Sequence, residues 1–310
     1  MGSTASRRQD RRTLERATRR VFHAIHVSQG KDAAILRRLS TMITPDYLKV
    51  PKGFFKGKAC LDAGCGSNAS VTRNLLELGA AQVHALDLDS SFLATAPRRL
   101  RGFEGRYKLD VGSVLDLPYP DGTFDFVFCG GVLHHTADPF RGLRELGRVT
   151  KRGGMLHLEI YGKGGLLRDV TSLLRRRYRA DSGFKRFIED LSASRLRSTL
   201  RWVLAEMARR ADPLAGRVPM KVLHELFDQD LVLTVKDRLQ APAYREDSEE
   251  EVVSELRRQG FSRIERLSRY PRYGNIRRFL SPLYNDYRHP LARLLYGSGL
   301  IQLKAVKARR

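Results

Sequence analysis

Cysteine is scarce in this chain of 310 residues: Cys60, Cys65 and Cys129 are all there is. They lack the paired spacing of a zinc site, and an odd count cannot form a closed disulfide framework. The expectation is therefore a reducing cytoplasm and no bound metal. Long apolar runs are also missing. No stretch of about 18 uncharged apolar residues occurs, and the N-terminus "MGSTASRRQDRRTLERATRR" has no apolar centre of the kind an export signal needs, so neither a membrane span nor export is expected. Tryptophan appears once, as Trp202, and no repeat or low-complexity segment is present. What is abundant is apolar content, 42%, which is enough to build a real core in one large domain or two modest ones.

Acid is in short supply, with 34 Asp and Glu against 57 Lys and Arg, for a net charge of +23. The imbalance is not uniform. Residues 1–58, 59–167, 168–217, 218–262 and 263–310 carry +10, 0, +7, −4 and +10. A neutral centre with basic flanks reads as a core with partner-facing additions, since basic surfaces attract nucleic acid, anionic lipid or anionic small molecules. A solvated, arginine-biased surface is the other reading.

The neutral centre alternates strand and helix. "KACLDAG" is a compact apolar run stopped by glycine, and "SVTRNLLELGA" has leucines at helical spacing with Gly79 as terminator. "AQVHALDLD", "RYKLDVGSV", "FDFVFCGGV" and "GGMLHLEIYG" read as further strands, separated by the helices "SSFLATAPRRLRG" and "PFRGLRELGRVT". Apolar strands spaced by helices imply a parallel sheet covered on both faces, with ligands outside the carboxyl ends of its strands. Downstream, "DSEEEVVSELRRQGF" has a serine cap, acids in its first turn and Gly260 at its stop. "SRIERLSRY" and "NIRRFLS" are read as two closing strands. Between them and the fifth strand lies a basic, helical stretch. The expected fold is α/β: a doubly wound, Rossmann-like sheet of about seven strands with a helical insertion after the fifth. The expected division is a helical N-terminal extension over 1–57, the core over 58–163, a lid and acceptor-binding insertion over 164–225, completion of the core over 226–281, and a basic C-terminal extension over 282–310.

The turn "CLDAGCGSNAS" offers bare N–H groups at the start of a helix, which suits an anionic group. Gly64-Cys65-Gly66-Ser67-Asn68-Ala69 satisfies the dinucleotide pattern G-x-G-x-x-G/A, with Asp87 about 20 residues on. Asp62 tilts the choice of ligand. A carboxylate two residues ahead of the glycines repels a pyrophosphate across a site of low dielectric. S-adenosylmethionine carries an ammonium and a sulfonium with a single carboxylate, and matches that mixed charge.

These residues also carry a family resemblance. "CLDAGCGS", "HALDLDSSFL", "SVLDLPYPDGTFDFVFCGGVLHHTADP" and "LRELGRVTKRGGMLHLEI" resemble, in order and spacing over about Lys58 to Tyr161, the class I S-adenosylmethionine-dependent methyltransferases. The resemblance is to the ubiquinone and menaquinone biosynthesis methyltransferase-like branch, the type 11 methyltransferases. It implies that Asp62, Gly64 and Gly66, with Cys65 between them, hold the methionine end of the cofactor. It implies that Asp87 accepts hydrogen bonds from the ribose and that Leu88 lies against the adenine. Gly130 lets the backbone approach the methionine moiety. After the third strand the family usually places an acid and a small residue for the adenine amine, whereas this chain has Ser113 and Val114. Asn68 stands where a third glycine often sits, and asparagine tolerates positive φ.

Methyl transfer demands positioning and exclusion of water more than it demands particular side chains. Where the acceptor is a hydroxyl or an acidic carbon, a base is useful. His134 and His135, after the fourth strand, are the candidates; loop bracing is their other role. Tyr161 and His224 are candidate substrate contacts. The arginine run "LLRRRYR" could grip an anionic acceptor or face solvent, and "HPLARLLYGSGLIQLKAVKARR" could lie on an anionic membrane or dock as a terminal segment. The reading is a methyltransferase for a small-molecule acceptor, hydrophobic or anionic, peripheral at a membrane through its basic flanks in one variant. The alternatives are an RNA methyltransferase that uses those flanks, a non-catalytic binding protein on the same fold, and a nicotinamide-dependent oxidoreductase.

Overall fold

The structure, a computed structural model, describes residues 4–211, 213–268, 275–279 and 287–309, with side chains from residue 9 onward. The chain opens with α1 (Thr4–Gln29), a helix of 26 residues without glycine or proline, closed by Gly30. Two short helices follow. In α2 (Ala33–Leu39) the Asp32 carboxylate caps the N–H groups of Ala34 and Ile35, and α3 (Pro45–Leu48) starts with proline behind the Thr44 cap.

The alternating core then runs β1 (Ala59–Ala63), α4 (Ser70–Glu77), β2 (Gln82–Asp87), α5 (Phe92–Arg99), β3 (Tyr107–Val111), β4 (Phe124–Gly130), α6 (Pro139–Val149) and β5 (Thr150–Tyr161). Five helices follow β5: α7 (Leu166–Ala180), α8 (Ser182–Glu189), α9 (Ala193–Arg210), α10 (Met220–Leu226) and α11 (Gln229–Gln240). The remainder comprises α12 (Glu249–Arg258), β6 (Phe261–Arg266), α13 (Pro290–Tyr296) and β7 (Leu300–Lys307). The acids and serine that mark α12 form a capping box between Ser248 and Glu251.

The seven strands form one sheet in the order β3-β2-β1-β4-β5-β7-β6, with β7 antiparallel to both its neighbours and the first five strands parallel. Successive residues of β1 feed opposite cores, as a two-residue period requires. Leu61 joins Leu86, Val127, Leu143, Leu146 and Leu256 on one face; Cys60 joins Phe55, Leu75, Val83, Phe92 and Phe126 on the other. A third, small cluster of Ile25, Ile35 and Leu233 ties α1 and α2 to α11. Strand order reverses between β1 and β4, and it is at such a switch point that a crevice opens at the carboxyl edge.

The seventh strand is not the one expected. Of "NIRRFLS", residues 277–279 are helical, and the strand inserted between β5 and β6 is Leu300–Lys307, from the segment read as a C-terminal extension. Its lysines disguised it: Lys304 donates to the Leu48 carbonyl and Lys307 to those of Gly147 and Thr150, so their stems cross apolar surface while their charges reach acceptors. The "PRYGN" turn falls largely outside the described residues.

Candidate functional site

A cavity of about 400 Å³ lies at the carboxyl edge over β1, β2 and β4. Its floor begins at Asp62 on β1. Burial pushes this carboxyl up to about 7, with Asp87 adding to the push and hydrogen bonds from Thr72 opposing it. One oxygen accepts the Thr72 hydroxyl at 2.7 Å, and the other, Oδ1, is buried without a partner. Beyond it the chain turns through Gly64 (φ +85°) and Gly66 (φ +64°), and the N–H groups of Gly64 and Cys65 donate to the Leu86 carbonyl. A Cβ on Gly64 would sit 2.3 Å from Val132, and one on Gly66 3.0 Å from the His26 ring. The residue of positive φ that starts α4 is Ala69 (φ +45°), not Asn68, whose amide donates instead to the His26 carbonyl. Burial lowers the pKa of His26 itself, outweighing nearby Asp87 and Asp89.

Asp87, at the tip of β2, accepts the N–H of Gly66 at 2.8 Å and of Asp89 at 2.9 Å. After β3 the Ser113 hydroxyl donates to Glu15 of α1 at 2.7 Å. Gly130 ends β4 where a Cβ would meet the Phe128 ring at 2.6 Å and the Glu159 carboxylate at 3.2 Å. Asp62, Gly64, Cys65, Gly66, Asp87, Leu88, Ser113, Val114 and Gly130 thus line one cavity, together with His135.

Three other expected residues do not reach it. His134 is buried behind the cavity wall, stacked on Tyr161 at 3.7 Å, and its Nδ1 accepts the Tyr161 N–H. Burial holds its pKa well below the usual histidine value, with the positive charges of His135, Arg168 and Arg238 adding to this. Tyr161 lies behind the wall as well: its hydroxyl donates to Asp237 at 2.8 Å. His224 sits exposed on α10. The insertion over 164–225 lines none of the cavity. The opposite wall comes from α1, through Leu14, Thr18, Phe22 and Ile25, and from α11, through Asp230, Leu233, Thr234 and Asp237. Of the "LLRRRYR" arginines, Arg175 is buried and donates to the carbonyls of Arg238 and Ala241, bracing α7 against the end of α11.

Those two helices carried a signal in their spacing. Leu14, Thr18, Phe22 and Ile25 recur at three and four residues on α1, as do Asp230, Leu233, Thr234 and Asp237 on α11, one face of a helix each. On α11, Asp237 meets His135 at 3.3 Å. Burial pushes its carboxyl up, but the His135 charge and the hydrogen bonds from His135 and Tyr161 outweigh this and hold it below the usual range. His135 Nδ1 faces the Ala243 carbonyl at 3.0 Å and Nε2 faces Asp237 at 3.3 Å, so both ring nitrogens are turned to acceptors of the protein. At the far end Asp230 takes Arg38 at 2.8 Å and also pairs with Arg277.

Residues 61–158 match the family model described as a methyltransferase domain. The chain thus carries a methyltransferase domain over that segment. It is similar to a demethylmenaquinone methyltransferase of Geobacillus kaustophilus, 36% identical over 103 residues, 32% of this chain and 44% of that one. It is also similar to phosphoethanolamine N-methyltransferase 2 of Caenorhabditis elegans, 33% identical over 123 residues, 38% of this chain and 28% of that one. The chain spans less than half the length of these curated relatives. Among solved structures, a chain from the complex of the Haloferax volcanii Trm112 methyltransferase activator with a methyltransferase shares the fold: TM-score 0.51, 14% identity, 93% of this chain and 97% of that one.

Proposed function

We propose that the chain is a methyltransferase that binds S-adenosylmethionine over β1, β2 and β4 and methylates a small molecule held between α1 and α11. The observation that carries this reading is the partnerless buried oxygen of Asp62 beside a turn stripped of side chains. A buried acceptor left unpaired is costly, and an ammonium satisfies it, whereas a pyrophosphate repels it. The oxidoreductase reading fails on the same atom.

When bound, the cofactor supplies a methyl group already activated by its sulfonium. The residues of the chain do the rest. Gly64, Gly66 and Gly130 let the backbone come close, Asp87 holds the ribose, and Leu88, Ser113 and Val114 flank the base. Phe22, Ile25, Leu39, Met42 and Leu233 give the acceptor side an apolar lining, which suits a hydrophobic small molecule such as the demethylmenaquinone for which the Geobacillus relative is named. The Arg38–Asp230–Arg277 cluster at its end provides for a polar or anionic group. His135 lines the cavity with both ring nitrogens turned to Asp237 and the Ala243 carbonyl, so it shapes this wall and is not a free base; His134 braces Tyr161.

No helix among the described residues is long and apolar enough to cross a membrane. Calorimetry with S-adenosylhomocysteine, followed by incubation with labelled cofactor and fractionated extract, tests the proposal. Tight binding with label in small metabolites or lipids supports it. No heat with S-adenosylhomocysteine sinks it, and label in RNA moves the activity to the alternative class.

A further inference from the structure

The strand order fixes a direction for any ligand that lies along the carboxyl edge. From β4 toward the sheet margin it meets Asp62 on β1, then Asp87 on β2, then the loop after β3. With an ammonium at Asp62 and a ribose at Asp87, the base falls against Leu88 and the loop of Gly112, Ser113 and Val114. Adenine differs from other purines by an amine at C6, a donor that needs an acceptor in a closed site.

The β3 side offers no carboxylate for it. Asp110 is turned away, accepting the Tyr119 hydroxyl at 2.9 Å and facing His84 at 3.2 Å. The Asp116 side chain is 67% exposed and does not line the cavity. The carboxylate that does line this end belongs to α1. Glu15 accepts the Ser113 hydroxyl at 2.7 Å, the Leu115 N–H fixes that hydroxyl oxygen at 3.2 Å, and the Arg11 guanidinium lies 3.5 Å away. A neutral serine on the loop thus presents an acid from 98 residues earlier.

We propose that Glu15 reads the base. Its carboxylate, braced by Ser113, accepts the exocyclic amine, so discrimination among nucleosides comes from the N-terminal helix and not from the β3 loop. The proposal rests on the cofactor reading above. It gives α1 two duties, because the same helix places Phe22 against His135 at 4.8 Å on the acceptor side. Recognition of the base and closure of the acceptor pocket then share one element.

The test is calorimetric, on the full chain and its Glu15→Gln and Glu15→Ala variants. The probes are S-adenosylhomocysteine and S-inosylhomocysteine, whose C6 carbonyl replaces the amine and faces the carboxylate with an acceptor. The native chain should prefer the adenosyl compound by about a hundredfold, since a site built to hydrogen-bond a donor rejects its isostere strongly. Glu15→Gln presents an amide that can accept or donate, so the preference should shrink to a few-fold while affinity for S-adenosylhomocysteine falls about tenfold. A helix that merely walls the cavity would weaken both probes equally. An unchanged ratio in the variants therefore overturns the role of Glu15 and leaves the cofactor reading standing, whereas binding of neither probe by the native chain overturns both. Glutamine keeps an acceptor for Ser113, so Glu15→Gln decides the matter even where Glu15→Ala does not fold.

Discussion

Asp62 sits in the strand core with a raised pKa, and its energetics run in two directions. An aspartate whose folded value is raised contributes stability fully present below about pH 4 and lost as pH rises through about 7. At pH 8 the empty protein therefore holds an uncompensated buried charge. Asp62→Asn keeps the Thr72 hydrogen bond and removes the charge, so it should stabilise the ligand-free protein at pH 8 by on the order of 1–3 kcal/mol while abolishing measurable binding of S-adenosylhomocysteine. Thermal melts at about pH 5 and pH 8 alongside calorimetry check this, and a lower melting temperature for the variant at pH 8 contradicts it. Gly64→Ala should fail in the opposite sense. Its Cβ meets Val132 at 2.3 Å in a left-handed backbone, so stability falls by about 1–3 kcal/mol along with binding, read by denaturant melts. Both residues were legible in "CLDAGCGS" because the motif is local, and the chemistry of each follows from the chain within a few positions. Glu15 was not: its meaning depends on Ser113, and nothing in α1 announces that partner.

At the scale of elements, legibility followed the strength of local signals. The capping box of α12 and the apolar strands β1, β2, β4 and β5 were plain from residue type. Two walls of the cavity were misassigned because each helix is polar over most of its surface, and its inward stripe is narrow. The expected lid instead buttresses the wall, α7 and α9 packing on α11. One consequence concerns α1. Among its described side chains it gives the buried clusters Ile25, in the small third one, with Val21 and Phe22 packed against it. Deleting residues 1–30 should leave a cooperatively folding core, seen as retained strand and helix signals by circular dichroism, and weaken S-adenosylhomocysteine at least tenfold through loss of the roof and of Glu15. A truncated chain that binds as tightly as the full one would show the helix to be ornamental. A second consequence concerns α11. The depressed Asp237 value means that its contribution to stability is present above about pH 4 and lost as pH falls through the folded value. Asp237→Asn should therefore melt lower than the native chain at neutral pH, by about 1–3 kcal/mol, with the gap closing toward pH 3. A gap that does not change with pH would assign the loss to packing instead.

For the molecule as a whole, the net charge of +23 invites a nucleic-acid reading that the architecture does not need. Part of the basic excess is spent internally: Lys304 and Lys307 reach backbone carbonyls and Arg175 braces α11, while Arg38 and Arg277 share Asp230. What remains on the surface acts at long range and is screened beyond about 8 Å at physiological salt. The cavity is walled by α1 and carries Phe22, Ile25, Leu39, Met42 and Leu233 beside the Arg38–Asp230–Arg277 cluster, so in the proposed function an acceptor held there is recognised at short range. Raising salt from about 50 to 300 mM should then strip RNA from the protein by orders of magnitude, since several phosphate contacts give a steep dependence. Methyl transfer to a small acceptor should change by no more than about threefold over the same range. Filter binding with unrelated RNA sequences and a labelled-methyl assay, run side by side, read the two quantities. Transfer that falls in parallel with RNA binding would mean that the surface charge belongs to the substrate site, and the small-molecule acceptor would have to be abandoned.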